Sequence, residues 1–373
     1  MKRILIFFLT IILLSCSKNK ADFVATEPIE MQFAELLTMS QGDGFWEVEI
    51  RNPWDTTGIL HRYILVEHDS DISESTLPHG DIVRIPLTNS VVCTSPHTFI
   101  IEEMGGFPSI KGVCDARYMN NEQVQKGIKT GTIADLGTSE MPDIEKVIEL
   151  NPDAILLSPY QNSGSYGRLG KLGIPLIECA DYMETSALGR AEWIKFYGLL
   201  YGCKSLADSI FSNVTKNYDA LAKQCAEGNE KKPTMFADMK TGSTWYVAGN
   251  QTTAARLYTD AGAEYIFNDI ASTGSVPMNP ESVFDRAQDA DIWIIKYNQP
   301  KDVTYKQLAH DYPNYTRMKS FKEKNVYGCN GAHSRLFDET AFHPDWLLKE
   351  YIKIFHPVYL PDYNLRYFQR IEN

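Results

Sequence analysis

Cysteine is scarce in this chain. There are seven in 373 residues, Cys16, Cys93, Cys114, Cys179, Cys203, Cys225 and Cys329, and no two form a C-x-x-C pair. Neither a zinc ribbon nor a dense disulfide frame is signalled. Histidine is also sparse, with eight residues and no close pair in one loop. A bare-metal site wants three or four converging His, Asp or Glu ligands, so free zinc or manganese is not expected. Basic residues are outnumbered, 36 Lys and Arg against 48 Asp and Glu, and the formal net charge is −12. That balance argues against general nucleic-acid binding. The common catalytic signatures are missing: there is no G-x-S-x-G, H-E-x-x-H, G-x-x-x-x-G-K-[ST] or G-x-G-x-x-G. Gly167-Arg168-Leu169-Gly170-Lys171 is too short for a phosphate loop.

What the chain does have is 43% apolar and 23% charged residues, a globular composition, and a length that accommodates two domains. Twenty tyrosines and six tryptophans offer amphipathic surface for ligand or partner contact. The N-terminus is a targeting segment. Lys2 and Arg3 precede an apolar run from Ile4 to Leu14, broken only by Thr10 and too short to span a bilayer. It ends Leu13-Leu14-Ser15-Cys16, which resembles a bacterial lipobox, although Leu14 is a less usual residue there. The resemblance implies a signal peptide over 1–15, cleavage before Cys16, acylation of Cys16 and a polar tether over 16–44. A plain secretory signal is the alternative. Ser17-Lys18-Asn19-Lys20 lacks the acidic run that would mark export to the cell surface.

The stretch Lys204–Glu227 organises the rest. Leu206, Ile210, Val214, Tyr218, Leu221 and Cys225 recur every three or four residues, one apolar stripe of an α-helix. There is no Pro or internal Gly, and Gly228 sits where a C′ residue often needs positive φ. At 1.5 Å per residue this is a rod of roughly 36 Å. Before it, residues 45–92 read as alternating strands (Trp46–Ile50, Tyr63–Val66, Ile82–Leu87), a β-rich opening. From Ser90, near-continuous apolar strands alternate with helices, the pattern of a parallel sheet covered on both faces. The alternation restarts at Thr234.

One unit occurs in both halves. Pro142-Asp143-Ile144-Glu145 leads into a short helix and then Asp153-Ala154-Ile155-Leu156-Leu157; Pro280-Glu281 leads through another to Asp291-Ile292-Trp293-Ile294-Ile295. Pro and Glu both suit a first helical turn. Together with the lobe–rod–lobe layout, the pair resembles the substrate-binding proteins of bacterial ABC importers for iron–siderophore complexes, haem and cobalamin. Val91–Ser95, Met104-Gly105, Gly170–Ile177 and His343–Lys349 with Ile354–Pro357 extend that likeness from about Ser90 to His356.

The resemblance implies an α/β chain of two Rossmann-like lobes with parallel sheets, joined by one long rigid helix and preceded by a β-rich extension. The boundaries expected are 45–202, 203–228 and 229–373. It implies no enzymatic activity and no cofactor, but a monomer lipid-anchored in the periplasm, with a metal-chelate ligand and an ABC permease dimer as partners. One Glu on each lobe docks on the permease in that family, matching Glu145 and Glu281. The ligand meets loops at the carboxyl ends of strands. These carry Ser95, His97, Thr98, Tyr160, Gln161, Asn162, Asp181 and Tyr182 in the first lobe. In the second they carry Lys240, Trp245, Tyr246, Tyr297, Asn298, His333 and Arg335. Each also has an ordinary loop or capping role as its alternative. Haem carriers of the family place a Tyr just before the first docking helix; here that loop reads Gly137-Thr138-Ser139-Glu140, which favours a siderophore or corrinoid. A chelatase or metallohydrolase on a two-lobed scaffold and an adhesin-type lipoprotein are the rival readings.

Overall fold

In the computed structural model, which describes residues 26–55, 57–161 and 166–372, the chain opens with a five-stranded sheet. Its strands are β1 (Glu27–Ile29), β2 (Leu37–Gln41), β3 (Phe45–Arg51), β4 (Ile59–Glu67) and β5 (Asp81–Ile85), in that spatial order. Every pairing is antiparallel except β4 with β5. Alternation along β3 and β4 divides the side chains by face. Val48, Ile50, Tyr63 and Leu65 join the core of the following lobe, while Phe45, Ile64 and Val66 form a small cluster on the other side. The tether expected over 16–44 is therefore shorter than its sequence suggested, because β1 and β2 fall inside that range and Leu37 and Met39 are buried. Cys16 lies outside the described residues.

The first lobe holds β6 (Ser90–Val92), β7 (Ile110–Val113), β8 (Ala134–Asp135), β9 (Ala154–Leu157) and β10 (Leu176–Glu178). All are parallel, in the order β10-β9-β6-β7-β8. Helices α1 (Ser95–Glu103), α2 (Glu122–Thr130) and α3 (Ile144–Leu150) connect them, and α4 (Ala187–Glu192) and α5 (Ile194–Leu200) lead to the rod, α6 (Lys204–Glu227). The rod has the bounds that periodicity gave, with one shift of face. Leu206 is exposed, and Ala207 and Phe211 take its place in the buried stripe with Val214, Tyr218 and Cys225. Gly228 has φ −70°, not a positive value. Glycine suits that position for a different reason, since a Cβ would run into the Tyr359 ring and its hydroxyl.

The second lobe follows with β11 (Thr234–Ala237), β12 (Lys240–Thr241), β13 (Thr244–Ala248), β14 (Glu264–Tyr265), β15 (Ser275–Met278), β16 (Ile292–Tyr297), β17 (Val326–Asn330) and β18 (Gln369–Arg370). Its main sheet runs β14-β11-β16-β17-β18, parallel except for the edge strand β18. Strands β12, β13 and β15 make a separate antiparallel sheet. The helices are α7 (Thr253–Asp260), α8 (Pro280–Ala287), α9 (Tyr305–Asp311), α10 (Lys319–Lys322), α11 (Leu336–Glu339) and α12 (Pro344–Phe355). No described helix is long and apolar enough to cross a membrane.

Buried carboxylates fasten the added segments. Glu192, on α4, accepts from the backbone N–H groups of Gln32, Phe33 and Ala34 at 2.7–2.9 Å, and Glu184 accepts from those of Glu35 and Leu36 at 2.9 and 3.0 Å. In the second lobe Glu350 does the same for Arg366, Tyr367 and Phe368. A fully satisfied buried carboxylate of this kind holds an irregular segment that has no sheet partner of its own.

Candidate functional site

The site begins with the repeated unit. In each copy the Asp before the strand pins the amino edge of its sheet. The Asp153 carboxylate accepts from Thr88 N, Thr88 Oγ1 and Asn89 N at 2.8–2.9 Å. Asp291 accepts from Thr234 N and Oγ1 at 2.9 and 3.0 Å and pairs with Lys319. Helices α3 and α8 end next to those aspartates, so they begin at the opposite, carboxyl edge, where Glu145 and Glu281 lie. Asn279 caps α8 by accepting from Glu281 N at 2.8 Å, and Asp143 caps α3 by accepting from Glu145 N at 3.1 Å. Both glutamates are exposed, and the Glu145 side chain is 84% accessible. Arg168 approaches it to 3.9 Å, an exposed pair worth little in water.

Between Glu145 and the ends of β6 and β9 is a hollow of about 470 Å³, lined by Thr94, Met141, Ile144, Leu157, Tyr160 and Arg168 among others. The carboxyl edge of the sheet also carries uncovered apolar side chains, of which Met141 and Tyr160 line the hollow. The loops after β7, β8, β9 and β10 each present one: Tyr118, Met141, Tyr160 and Tyr182. The second lobe adds Tyr246 on β13 and Phe337 on α11. Met141 is 82% and Tyr160 54% accessible. Arg117 lies over the Tyr118 ring, 4.5 Å from its centroid. Solvent-facing rings and flanking arginines suit a large, partly planar ligand carrying negative groups.

The structure divides the residues expected at this edge. Tyr160, Gln161, Tyr182, Tyr246, Asn298 and His333 are exposed, and Lys240 lies 5.4 Å over the Tyr312 ring. His97, Thr98 and Asp181 are buried. His97 Nε2 meets Asp181 Oδ1 at 2.8 Å and Tyr197 OH at 3.0 Å, while Arg190 Nε donates to Asp181 Oδ2 at 2.9 Å. Burial works against ionisation of Asp181, but His97 and Arg190 more than offset it and hold the carboxyl below its ordinary value. That cluster is a satisfied part of the lobe interior. Trp245 is also interior, packed among Phe236, Trp293 and Tyr315. The Tyr297 hydroxyl is engaged by Val303 N and Asp302. Asn162 lies outside the described residues. Tyr118, Met141 and Phe337 escaped sequence reasoning, because nothing in a short loop tells which way an apolar side chain turns.

Ser95 and Arg335 belong to a seam between the lobes. Ser95 Oγ donates to Asp338 Oδ1 at 2.5 Å, Asn120 Nδ2 donates to Gly331 O at 2.9 Å, and Arg335 lies 3.8 Å from Glu102. Ala341 and Phe342 are buried in the core of the first lobe, although they follow β17. His343 closes the seam, with Nε2 2.7 Å from Glu103 and its ring stacked on Trp346. Burial opposes its protonation, yet Asp345 and Glu103 lift its pKa from 6.5 to about 9. A raised imidazole pKa stabilises the folded form fully below the unfolded value and loses that contribution as pH climbs through the folded one. Thermal melts should therefore show a loss on the order of 3 kcal/mol between about pH 6.5 and 9, which His343→Gln should flatten. Parallel curves for the two proteins would contradict this role.

A family model described as periplasmic binding protein matches residues 91–332. An uncharacterized lipoprotein of Methanocaldococcus jannaschii is 27% identical over 287 residues, 73% of this chain and 67% of the relative. A cobalamin-binding protein of Halobacterium salinarum is 23% identical over 203 residues, 54% of this chain and 53% of the relative. Among solved structures, a possible iron-binding, periplasmic solute-binding protein from Staphylococcus epidermidis superposes with a TM-score of 0.57 at 17% identity. The match covers all of that chain and 73% of this one, and the family match begins only after β5, so the opening sheet is an addition to the common core. With two parallel-sheet lobes on one rod and most of its length matched, the chain belongs to the periplasmic binding protein family.

Proposed function

We propose that this protein captures an iron–siderophore or cobalamin-type chelate between its lobes and delivers it to a permease. The family makes it the extracytoplasmic solute-binding component of an ABC transporter, not an enzyme. The observation that carries the ligand class is the set of uncovered side chains Tyr118, Met141, Tyr160 and Tyr182, one each from the loops after β7, β8, β9 and β10. A bare cation would be poorly served by such a set. Among the described residues no three or more His, Cys, Asp or Glu side chains gather to hold a metal ion. The cobalamin-binding relative adds weight to a corrinoid. Glu145 and Glu281 serve as docking points for permease arginines. Lipidated Cys16 would hold the carrier near the membrane and raise its effective concentration there.

The test is a titration with ferric hydroxamate and catecholate siderophores, cobinamide, cobalamin and haemin, followed by tryptophan fluorescence and melting temperature. At least one chelate should quench saturably and raise the melting temperature. At a hundredfold excess over Kd the stabilisation is about 2.7 kcal/mol. Silence across the whole panel would overturn the ligand assignment.

A further inference from the structure

The opening sheet does more than cover the first lobe. Between it and the edge strand β10 lies a cavity of about 920 Å³. The β3–β4 turn supplies Trp54 and Asp55, β4 and β5 supply His61 and Asp81, β10 supplies Glu178, and the loop after β9 supplies Tyr160 and Tyr166. That volume lies within the usual range for small-molecule sites.

Its wall is built and held. His61 bridges the added sheet to the lobe, with Nδ1 2.9 Å from Glu178 and Nε2 2.8 Å from Asp81. Tyr166 OH donates to the other Glu178 oxygen at 2.5 Å, and the His61 ring stacks on Tyr63 at 4.3 Å. Among the described residues, three carboxylates and one imidazole line the cavity, and no Lys or Arg does. Even with His61 charged, the local balance stays negative. Trp54, Tyr160 and Tyr166 line the same space. Carboxylates beside aromatic rings form the combination that recognises an organic ammonium group, by charge and by cation–π attraction together.

We propose that the cavity between the added sheet and β10 is a second binding site, for an organic cation such as a quaternary ammonium or an alkylamine. It stands outside the family core, because β1 to β5 precede the matched region. Among the described residues it shares only Tyr160 and Tyr166 with the hollow beside β6 and β9. The inference does not depend on the chelate being identified.

Benzyltrimethylammonium is a suitable probe, and benzoate is its control, a ring of similar size with the opposite charge. Titration of the whole protein at low ionic strength should give saturable quenching with the cation and none with benzoate. High salt should weaken binding in the unmodified protein. Asp55→Asn combined with Asp81→Asn should weaken it about tenfold or more, and Trp54→Leu should remove most of the quenching. Cobinamide or siderophore affinity should be unchanged in both variants, so a failed cation site and a failed chelate site give different results. Absence of saturable cation binding, equal binding of benzoate, or cation binding unmoved by the double substitution would each overturn the assignment.

Discussion

Reversing the two charges proposed to dock the permease, Glu145→Lys with Glu281→Lys, is expected to reduce uptake to background while leaving chelate affinity within about twofold of the original. The physical argument rests on where the two acids sit. Each is the first acidic residue of a short helix, each has its backbone N–H taken by an Asx cap, and each lies at the carboxyl edge of its own sheet. Their side chains are therefore presented outward from fixed backbones. Two exposed acids on separate lobes specify an orientation that one could not. Complementary charges act mainly on encounter and on rejection of wrong geometries, and a like charge facing a permease arginine costs several kcal/mol. Each single reversal should leave partial uptake, because one anchor survives. The exposed Arg168 cannot substitute for a partner across the interface, since its contact with Glu145 is long and solvated. Undiminished uptake in the double variant would reject the docking role.

Glu192→Ala should be the most damaging single change away from the ligand. Glu192 is wholly buried, accepts from three consecutive backbone N–H groups and pairs with Lys195. Truncation leaves those donors without their acceptor at the root of the added sheet. Each orphaned group costs roughly 1–3 kcal/mol, and removal of one partner from a buried charge pair about 3–5 kcal/mol. The expected loss is about 3–5 kcal/mol, read as a lower denaturation midpoint in urea. Glu192→Gln keeps an oxygen for some of the donors and should lose less. If Glu192→Ala unfolded with the parent, the carboxylate would not be what fastens residues 32–34.

The rod and the two alternating halves were legible because their signals are periodic and long. Twenty-four residues of α6 carry one stripe, and a run such as Ala154–Leu157 is apolar throughout because both faces of its sheet are covered. Elements whose stability comes from distant partners were not legible. Strands β1 and β2 are short and owe their place to cross-strand pairing and to glutamates some 150 residues away in sequence. Helix α2 is polar, with Val124 as its deeply buried contact, and left little trace. At the candidate site, chain position located the loops but not the direction of their side chains. Hence His97, Asp181 and Trp245 turned inward while Tyr118, Met141 and Phe337 turned out. The recurrence of Pro, Glu and Asp was the most informative short pattern. The structure adds what the Asp is for: Asp153 and Asp291 each tie the start of a helix-fed strand to its neighbour.

The seam bears on how an importer could tell a full carrier from an empty one. Phe342 is planted among His97, Tyr197 and Arg190 of the opposite lobe, and its withdrawal would uncover a large apolar ring. A hinge stitched in this way leaves little room for a jaw-like swing on loading. The silhouette offered to the transporter is then nearly the same with or without cargo, so unladen molecules should compete for the same berth. Discrimination would have to come from the cargo itself at the contact surface, or from the transporter's own cycle. Import would slow whenever idle copies outnumber laden ones.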